Sequence, residues 1–344
     1  MPKLTERQKL ILALVIRSYI ETAQPVGSAH LVRRFNLDFS SATVRNEMQT
    51  LTELGYLRQP HTSAGRVPTE EGYRYFVRQL MGQSELPVAT KHTIAHQFYQ
   101  AGHDVDRWMR LAASVLAHHS QAASLVTAPH TEQARFKHLE LIATHGRQML
   151  MVMVLSGGDV RQQMLSLAEP VSQEQLSAAA AKINALCQGL TPEGLAGVTA
   201  QLDVLEKDVI KLVIDDMRRS QDILGGEVYR DGLTHVLSEP EFAEVDVARK
   251  ALRILEERSL LEDLLARTIM NDAIGGVQVL IGGEGTWEEL RDCSMVLARY
   301  GVPGLATGTL GVLGPIRMAY GQTISTVRYV AGLLSDLVVD LHAE

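Results

Sequence analysis

The sequence predicts an α+β protein built from several domains, and three observations support that fold class. The first 82 residues contain three helical patterns followed by two short strand-like runs. From residue 92, a helical stretch leads into strand-like runs separated by turn residues. These give way to helices from about residue 202, and strand character returns at Val277. An α+β unit that stops and later resumes is typical of a chain with an inserted domain.

The first helix is predicted to begin after Thr5, which can form a capping box with Gln8. A break at Gln24–Gly27 precedes the second predicted helix, SAHLVRRF, for which Ser28 is the N-cap candidate. This helix is short enough to be the first limb of a helix-turn-helix whose turn spans Asn36–Phe39.

The third helix is predicted to have one apolar and one polar side. Ser40 and Ser41 are its N-cap candidates, and Gly55 stands where a helix favours a left-handed residue. The stripe expected to be buried consists of Val44, Met48, Leu51 and Leu54. Short or forked polar side chains on the free side can reach base edges and phosphates in a DNA major groove. The candidate DNA-binding residues here are Ser40, Ser41, Thr43, Arg45, Asn46 and Gln49.

Two strand-like runs follow this helix and predict a β-hairpin. Tyr56–Gln59 and Arg66–Val67 flank a loop with no apolar side chain larger than Ala64. An ordinary surface turn would fit the same residues, but the position directly behind a candidate recognition helix favours a wing that contacts DNA. The predicted wing residues are His61, Thr62, Ser63 and Arg66.

Charge divides the chain in the same way. Residues 1–82 contain eleven basic and seven acidic residues, a net charge of +4, whereas the remainder has 22 against 33, a net charge of −11. Because contacts to phosphate dominate affinity for nucleic acid, the N-terminal part is the part expected to touch DNA.

The rest of the chain is predicted to alternate between sheet and helices. Residues 83–91 have a linker's composition and mark a domain boundary. Strands are predicted in ASLVTAP, FKHLELIAT, RQMLMVMVLS and DVRQQMLSLA, in a largely antiparallel sheet. Helices are predicted in SQEQLSAAAAKINALCQGL, in WEELRDCSMVLARYG and in the closing run TISTVRYVAGLLSDLVVDL.

Features that would indicate an enzyme are incomplete. The Gly282–Gly285 turn lacks a full phosphate-binding pattern, which favours a plain βα turn. His92 and His96 stand at metal-ligand spacing without a third ligand, which favours a solvated helix face. Cys187 and Cys293 are far apart, and a disulfide is not expected. The sequence therefore predicts no enzyme, no cofactor and no metal site.

The sequence shows no pattern typical of a membrane span or a signal peptide. No apolar run approaches the ~20 residues that cross a bilayer, and the N-terminus MPKLTERQ lacks the apolar core of a signal peptide. A cytoplasmic protein without a membrane partner is expected.

The N-terminal motifs resemble a known family. The run GSAHLVRRFNLDFSSATVRNEMQTLTELGYLRQPHTSAGRVPTEEGYRYFV is similar to the winged-helix head of the HrcA family of bacterial heat-shock repressors, with PHTSAGRVPT and GYRYFV as a specific signature. YRDGLTHVLSEPEF and GTLGVLGPIRMAYGQTISTVRYV resemble later blocks of that family. One departure is Gly283-Glu284-Gly285, where family members commonly have a Gly-x-Glu-Asn stretch.

The resemblance implies a domain plan and a function. Residues 1–82 would be the winged-helix DNA-binding domain, 92–190 and 275–344 a GAF-like domain split in sequence, and 191–274 an inserted, mainly helical dimerising domain. The function would be repression of chaperone operons through their inverted-repeat operator, known as CIRCE, with the chaperonin promoting the active state. A small-molecule-sensing transcription factor, with its ligand in the GAF-like domain, is the alternative.

A homodimer is expected because one helix reads only a few base pairs, and two-fold symmetry doubles the readout. The predicted insertion also carries much apolar surface for a small helical unit. Those residues either form the dimer interface or pack on neighbouring helices: Val247, Leu252, Leu255, Leu260, Leu261, Leu264 and Leu265.

Overall fold

The structure is a computed structural model that describes residues 4–61, 64–82, 84–102, 104–130, 135–156, 160–167, 169–221, 227–269, 274, 276–282 and 287–343. Residues 4–82, here called the head, contain three helices, a two-stranded sheet and a fourth helix that continues as a π-helical turn. Their bounds are α1 Glu6–Thr22, α2 Ser28–Phe35, α3 Ser41–Glu53, β1 Leu57–Arg58, β2 Val67–Pro68 and α4 Glu70–Tyr75, with the π-turn at Phe76–Leu80.

The remaining elements alternate between helices and strands. Up to residue 187 they are α5 Val88–Ala101, α6 Val105–Ser120, β3 Ala123–Thr127, β4 Phe136–Ala143, β5 Gln148–Leu155, β6 Val160–Ser166 and α7 Gln173–Cys187. Beyond it they are α8 Pro192–Val198, α9 Val204–Gln221, β7 Val228–Asp231, α10 Leu233–Ser238, α11 Val245–Glu256, α12 Arg258–Ile269, β8 Val277–Ile281, β9 Cys293–Val302, β10 Ala306–Pro315 and α13 Tyr320–Ala343. The chain is thus an α+β protein, as predicted.

The chain folds as two compact units. The first consists of Met1–Val126, Tyr229–Tyr300 and Thr309–Leu334, and the second of Thr127–Val228, Gly301–Gly308 and Ser335–Glu344. We call the part of the first unit outside the head the body. These bounds differ from the predicted domains, because β4, β5 and β6 form a sheet of their own. The predicted domain bounds, including the insertion at 191–274, stay a prediction.

Local signals fix the first two helices of the head. Thr5 caps α1 and forms the predicted capping box with Gln8. The predicted N-cap of α2 is wrong by one residue: Gly27 is the N-cap, and Ser28 is the first helical residue and is buried. The N-cap position is thus held by a glycine, and α2 has no side-chain cap.

Helix α3 begins after Ser40 and ends with the predicted glycine. Gly55 has φ +83°, and the Tyr56 N–H donates to the Leu51 carbonyl at 3.0 Å, the long bond of a Schellman-type end. The predicted buried stripe is confirmed for three of its four members. Leu54 is wrong: it is 36% exposed, because it is the C-cap residue and lies outside the regular turn.

The first hairpin strand, β1, is shorter than the predicted Tyr56–Gln59, whereas β2 has the predicted length and begins one residue later, at Val67. Strand β1 pairs antiparallel with β2, with Leu57 opposite Pro68 and Arg58 opposite Val67. The predicted linker at 83–91 also shortens, because α5 already begins at Val88.

The main sheet has five strands in the order β7-β3-β10-β9-β8. Strand β3 runs antiparallel to β10, and β8 runs antiparallel to β9. The helix predicted in WEELRDCSMVLARYG is wrong: Glu288–Leu290 is a 3₁₀ turn, and Cys293–Val302 is β9. Strand β9 is buried along most of its length, and such a strand has a continuous apolar sequence like that of a buried helix.

The second unit has a three-stranded antiparallel sheet in the order β4-β5-β6. The inner side chains of β4 and β5, such as Leu139 and Met151, form one apolar core with α7 and α9. Helix α7 is capped by Ser172 in a capping box with Gln175.

The leucines of α11 and α12 belong to the first compact unit. Leu255, Leu261, Leu264 and Leu265 are each at most 1% exposed in the single chain. For these four residues, the structure favours packing on neighbouring helices over an interface with a second copy.

Both cysteines are buried and unpaired, as expected. Burial raises the pKa of the Cys293 thiol to about 12 and also raises the pKa of the Cys187 thiol.

Across the described residues, every helix is too short or too polar to span a membrane.

Gly72 of α4 tests the packing of the head. An added Cβ would lie 2.2 Å from the Tyr56 carbonyl oxygen, so we expect Gly72→Ala to lower the free energy of unfolding by roughly 1–3 kcal/mol. Gly332→Ala in α13 is the control, because its Cβ would meet no atom of the described residues within 4 Å. That change should raise stability by up to about 1 kcal/mol, since alanine favours a helix. Urea denaturation measures both, and equal effects would contradict the close approach.

Candidate nucleic-acid interface

The N-terminus of α3 is fixed by two of the predicted site residues. The Ser40 side-chain oxygen accepts a hydrogen bond from the Thr43 backbone N–H at 3.1 Å, and the two hydroxyls lie 2.9 Å apart. Ser40 is exposed and Thr43 is half-buried. The start of α3 is therefore preorganised, with both hydroxyls already hydrogen-bonded to each other.

Three other predicted site residues form an open polar surface on the first half of α3. Ser41, Arg45 and Asn46 are exposed. Within the described residues, no hydrogen bond or ion pair engages any of their three side chains. A guanidinium, an amide and a hydroxyl on one exposed helical surface offer donors and acceptors to a ligand that presents both, such as base edges and phosphates.

The opposite side of α3 is held by the head core and by a polar bracket from α1. Val44, Met48 and Leu51 are at most 3% exposed. Glu47 accepts hydrogen bonds from Arg7 Nε at 2.7 Å and from Gln8 Nε2 at 3.1 Å. The bracket fixes α3 against rotation on its apolar contacts, because both donors belong to another helix.

The hairpin is fastened to α3 through Arg66. Its Nη2 donates to Gln49 Oε1 at 2.7 Å, and its Nε donates to Thr52 Oγ1 at 3.0 Å. Gln49 Nε2 donates in turn to Glu53 at 3.0 Å. Two predicted DNA contacts, Gln49 and Arg66, therefore bond to each other in the free chain. For Arg66 this geometry favours a positioning role.

The backbone at Arg66 also joins the hairpin to the loop between α1 and α2. Arg66 and Val26 exchange both backbone hydrogen bonds, each 2.9 Å long. Gly65 permits this approach, since a Cβ there would lie 2.4 Å from the Val26 carbonyl oxygen. A side chain at position 65 would force the hairpin away from the loop.

Of the four predicted wing residues, the structure describes two. His61 is exposed and its carbonyl accepts the Ala64 N–H at 2.9 Å, while Gln59 Nε2 donates to the Ala64 carbonyl at 3.2 Å. Thr62 and Ser63 lie outside the described residues.

Sequence reasoning missed the residues that position α3 and the hairpin. Arg7, Glu47 and Thr52 have no periodic or motif signal that links them, because their partners are 14 to 40 positions away in the chain. The match of Glu47 to a basic residue and an amide on α1 is visible only once the helices are packed.

Other candidate sites are less complete. His92 and His96 are exposed on α5, and no group of three potential metal-ligating side chains occurs within the described part of the chain. Gly282 has φ +62°. Residues 283–285 of the Gly282–Gly285 segment, for which the sequence favours a plain βα turn, lie outside the described residues.

Comparisons with known proteins define the class. The model of a family described as HrcA protein C terminal domain matches residues 106–324. A heat-inducible transcription repressor HrcA of Roseiflexus castenholzii is 46% identical, with 98% of this chain and 96% of the relative covered. Its counterpart in Herpetosiphon aurantiacus is 44% identical, with 99% and 97% covered. The chain is thus a transcription repressor and not an enzyme.

More particularly, the chain belongs to the HrcA family. A crystal structure described only as that of a hypothetical protein shares the fold, with a TM-score of 0.59, 22% identity, and coverage of 98% of this chain and 100% of the other. The alternative of a small-molecule sensor stays a prediction.

Ser40 and Ser41 form a matched pair for testing the preorganised start of α3. Ser40→Ala removes the N-cap and should lower the free energy of unfolding by about 1 kcal/mol. Ser41→Ala should change it by less than about 0.5 kcal/mol, because the exposed side chain has no partner in the described structure. Chemical denaturation without DNA separates the two, and equal losses would contradict the capping geometry.

Proposed function

We propose that the chain represses transcription by binding double-stranded operator DNA as a homodimer, with residues 1–82 as a winged-helix domain. The observation that carries the proposal is the exposed, unengaged set of Ser41, Arg45 and Asn46 on the first half of α3. Recognition helices of this class place their N-terminal residues in the major groove.

Within that proposal, the side chains of α3 have two roles, base readout and contact with the phosphate backbone. Arg45 and Asn46 read base edges or adjacent phosphates, since a guanidinium matches guanine and an amide matches adenine. Ser40, Ser41 and Thr43 hold the helix N-terminus against the phosphate backbone, where the helix dipole favours an anion. Gln49 joins them if its bond to Arg66 opens on binding.

The hairpin provides the second contact. The predicted wing residues His61, Thr62 and Ser63 meet phosphate or the minor groove, and Arg66 holds the hairpin in place. The net charge of +4 on residues 1–82 supports this docking, because the remaining −11 would be repelled by DNA.

A dimer and a chaperonin complete the proposal. Two heads related by two-fold symmetry match an inverted repeat, here the CIRCE operator of chaperone operons. The relatives are named heat-inducible repressors, and the family resemblance supports a chaperonin that promotes the DNA-binding state. The split GAF-like domain (92–190 and 275–344) and dimerising domain (191–274) belong to the same proposal, although the compact units have other bounds.

The test is binding to the inverted repeat and to a scrambled duplex across a salt series, with and without chaperonin. The proposal expects a large specificity ratio that increases with chaperonin. Equal, weak and steeply salt-dependent binding to both duplexes would overturn it, because that pattern describes a generic contact with phosphate.

Arg45 carries the sharpest prediction for base readout. Arg45→Ala should weaken operator binding by roughly 1–3 kcal/mol and relax the preference at one base position, if the guanidinium reads a base. Arg328→Ala is the matched control, an exposed arginine on α13 without a partner in the described structure. Titration of operators with single substitutions measures both, and an unchanged preference would remove Arg45 from base readout.

Arg66 separates a charge effect from a positioning effect. A phosphate contact predicts that Arg66→Ala weakens all duplexes alike and flattens the salt slope by about one unit, while Arg66→Lys retains both properties. Positioning predicts that Lys fails like Ala, because an ammonium lacks the fork that reaches both Gln49 and Thr52. We expect the second result, and retained binding in Arg66→Lys would contradict it.

A further inference from the structure

Arg317, just before α13, links the body to the head. Its guanidinium bonds to the carboxylates of Glu239 and Glu241, the latter at 2.5 Å, and both belong to the body. A third donor, Nη1, reaches the Ile20 carbonyl of the head at 3.3 Å. The Arg317 side chain is only 14% exposed, so this is a largely desolvated contact.

The acceptor on the head suits a cation. Ile20 lies in the last turn of α1, where carbonyl groups lack helical partners and the helix dipole is negative. That last turn contains no basic residue of its own. Arg317 therefore supplies from the body the positive charge that the end of α1 lacks.

Arg74 makes the same kind of bridge in the opposite direction. It lies on α4 of the head, where its guanidinium bonds to Glu70 at 2.9 Å and approaches Glu71 at 3.5 Å. One nitrogen, Nη2, also donates to the Ile281 carbonyl of the body at 2.8 Å. Each arginine thus pairs with carboxylates on its own side and reaches one carbonyl across the contact. We call the two bridges the arginine clasp.

The surfaces around the clasp are shaped for close contact. Gly282 lies against Glu70, and a Cβ at position 282 would be 2.3 Å from the carboxyl carbon. The rings of Tyr73 and Tyr320 have centroids 6.0 Å apart. Both arginines line one cavity of about 660 Å³, which places the two bridges in the same region of the head–body contact.

The arginine clasp does not cover the exposed polar residues of α3 that are proposed to contact DNA. It uses the end of α1 and helix α4, whereas Ser41, Arg45 and Asn46 on α3 remain exposed. Holding the head therefore does not compete with DNA for the same residues.

We propose that the arginine clasp fixes the orientation of the head on the body and thereby sets the half-site spacing that the dimer accepts. This inference rests on the proposed operator binding. Two rigidly held heads can contact both half-sites only when these lie at one particular spacing. At that spacing, the second head binds its half-site at a high effective concentration, and at other spacings this advantage is lost. Loosely held heads tolerate several separations, with a smaller gain at each.

The test uses conservative variants, because Arg317→Ala would leave two half-buried carboxylates without their arginine and endanger the fold. Arg317→Lys and Arg74→Lys, singly and combined, retain the charge but lack the planar fork that serves three acceptors. Arg328→Lys on α13 is the control. Thermal melts establish that each full-length variant is folded before its DNA binding is compared.

The DNA measurement compares a single half-site with inverted repeats whose spacer is lengthened or shortened by one and two base pairs. The clasp variants should bind the half-site like the parent and bind the natural spacing roughly tenfold more weakly. They should also lose less than the parent when the spacer changes. A spacing profile identical to that of the parent would overturn the inference.

A second measurement needs no DNA. Spin labels at Asp38→Cys in the head and Arg107→Cys in the body report the head–body distance, since both positions are exposed and the native cysteines are buried. The parent and the control should give a narrow distance distribution and the clasp variants a broad one. Narrow distributions in all of them would overturn the inference.

The two measurements also separate this inference from the proposed function. If the parent does not distinguish the operator from a scrambled duplex, the proposed function fails, and with it the link to half-site spacing, whatever the distance distributions show. If the parent is specific and the variants share both its spacing profile and its distance distribution, only the clasp fails.

Discussion

Helix α3 has one side buried in the core of the head and one side exposed to solvent, and the arrangement of the head depends on this difference. Val44, Met48 and Leu51 are buried, so the rotation of the helix is set by hydrophobic contact. A shift of one residue turns an α-helix by about 100°. Such a turn would bury the guanidinium of Arg45, which has no partner among the described residues, at a cost of several kcal/mol. Apolar packing on one side therefore determines which polar side chains face outwards. The hydrogen bonds of Glu47 to Arg7 and Gln8 stabilise that rotation of α3.

Around this helix, polar residues serve two different purposes. Gln49 and Arg66 satisfy each other across 17 positions of sequence and join the hairpin to α3. Arg45 and Asn46, with similar chemistry, are left open. The same residue types thus build the scaffold in one place and a binding surface in another. Only the packing of the head distinguishes the two uses.

Structural features that depend on residues close together in the sequence can be predicted from it, whereas features that depend on distant residues cannot. N-cap hydrogen bonds and a terminal glycine act within a few residues, and the predicted starts of α1 and α3 and end of α3 are confirmed. Strand β9 was mistaken for a helix, because a strand buried on both sides has no alternation to read. The choice of β4–β6 to form a separate sheet, and the bonds of Arg66, depend on residues distant in sequence. The candidate site residues stay a prediction, and the hydrogen-bond partners of Gln49 and Arg66 could not be predicted from the sequence.

The accessibility of the two cysteine thiols reports whether each compact unit of the chain is folded. Cys187 lies in the second compact unit and Cys293 in the first, and both thiols are buried with raised pKa values. Because the thiolate is the reactive form, folded molecules resist alkylating agents and oxidants. Exposure of either sulfur requires its unit to open. In a family named for its response to heat, the reactivity of each thiol therefore reports the opening of its own unit, without any engineered label.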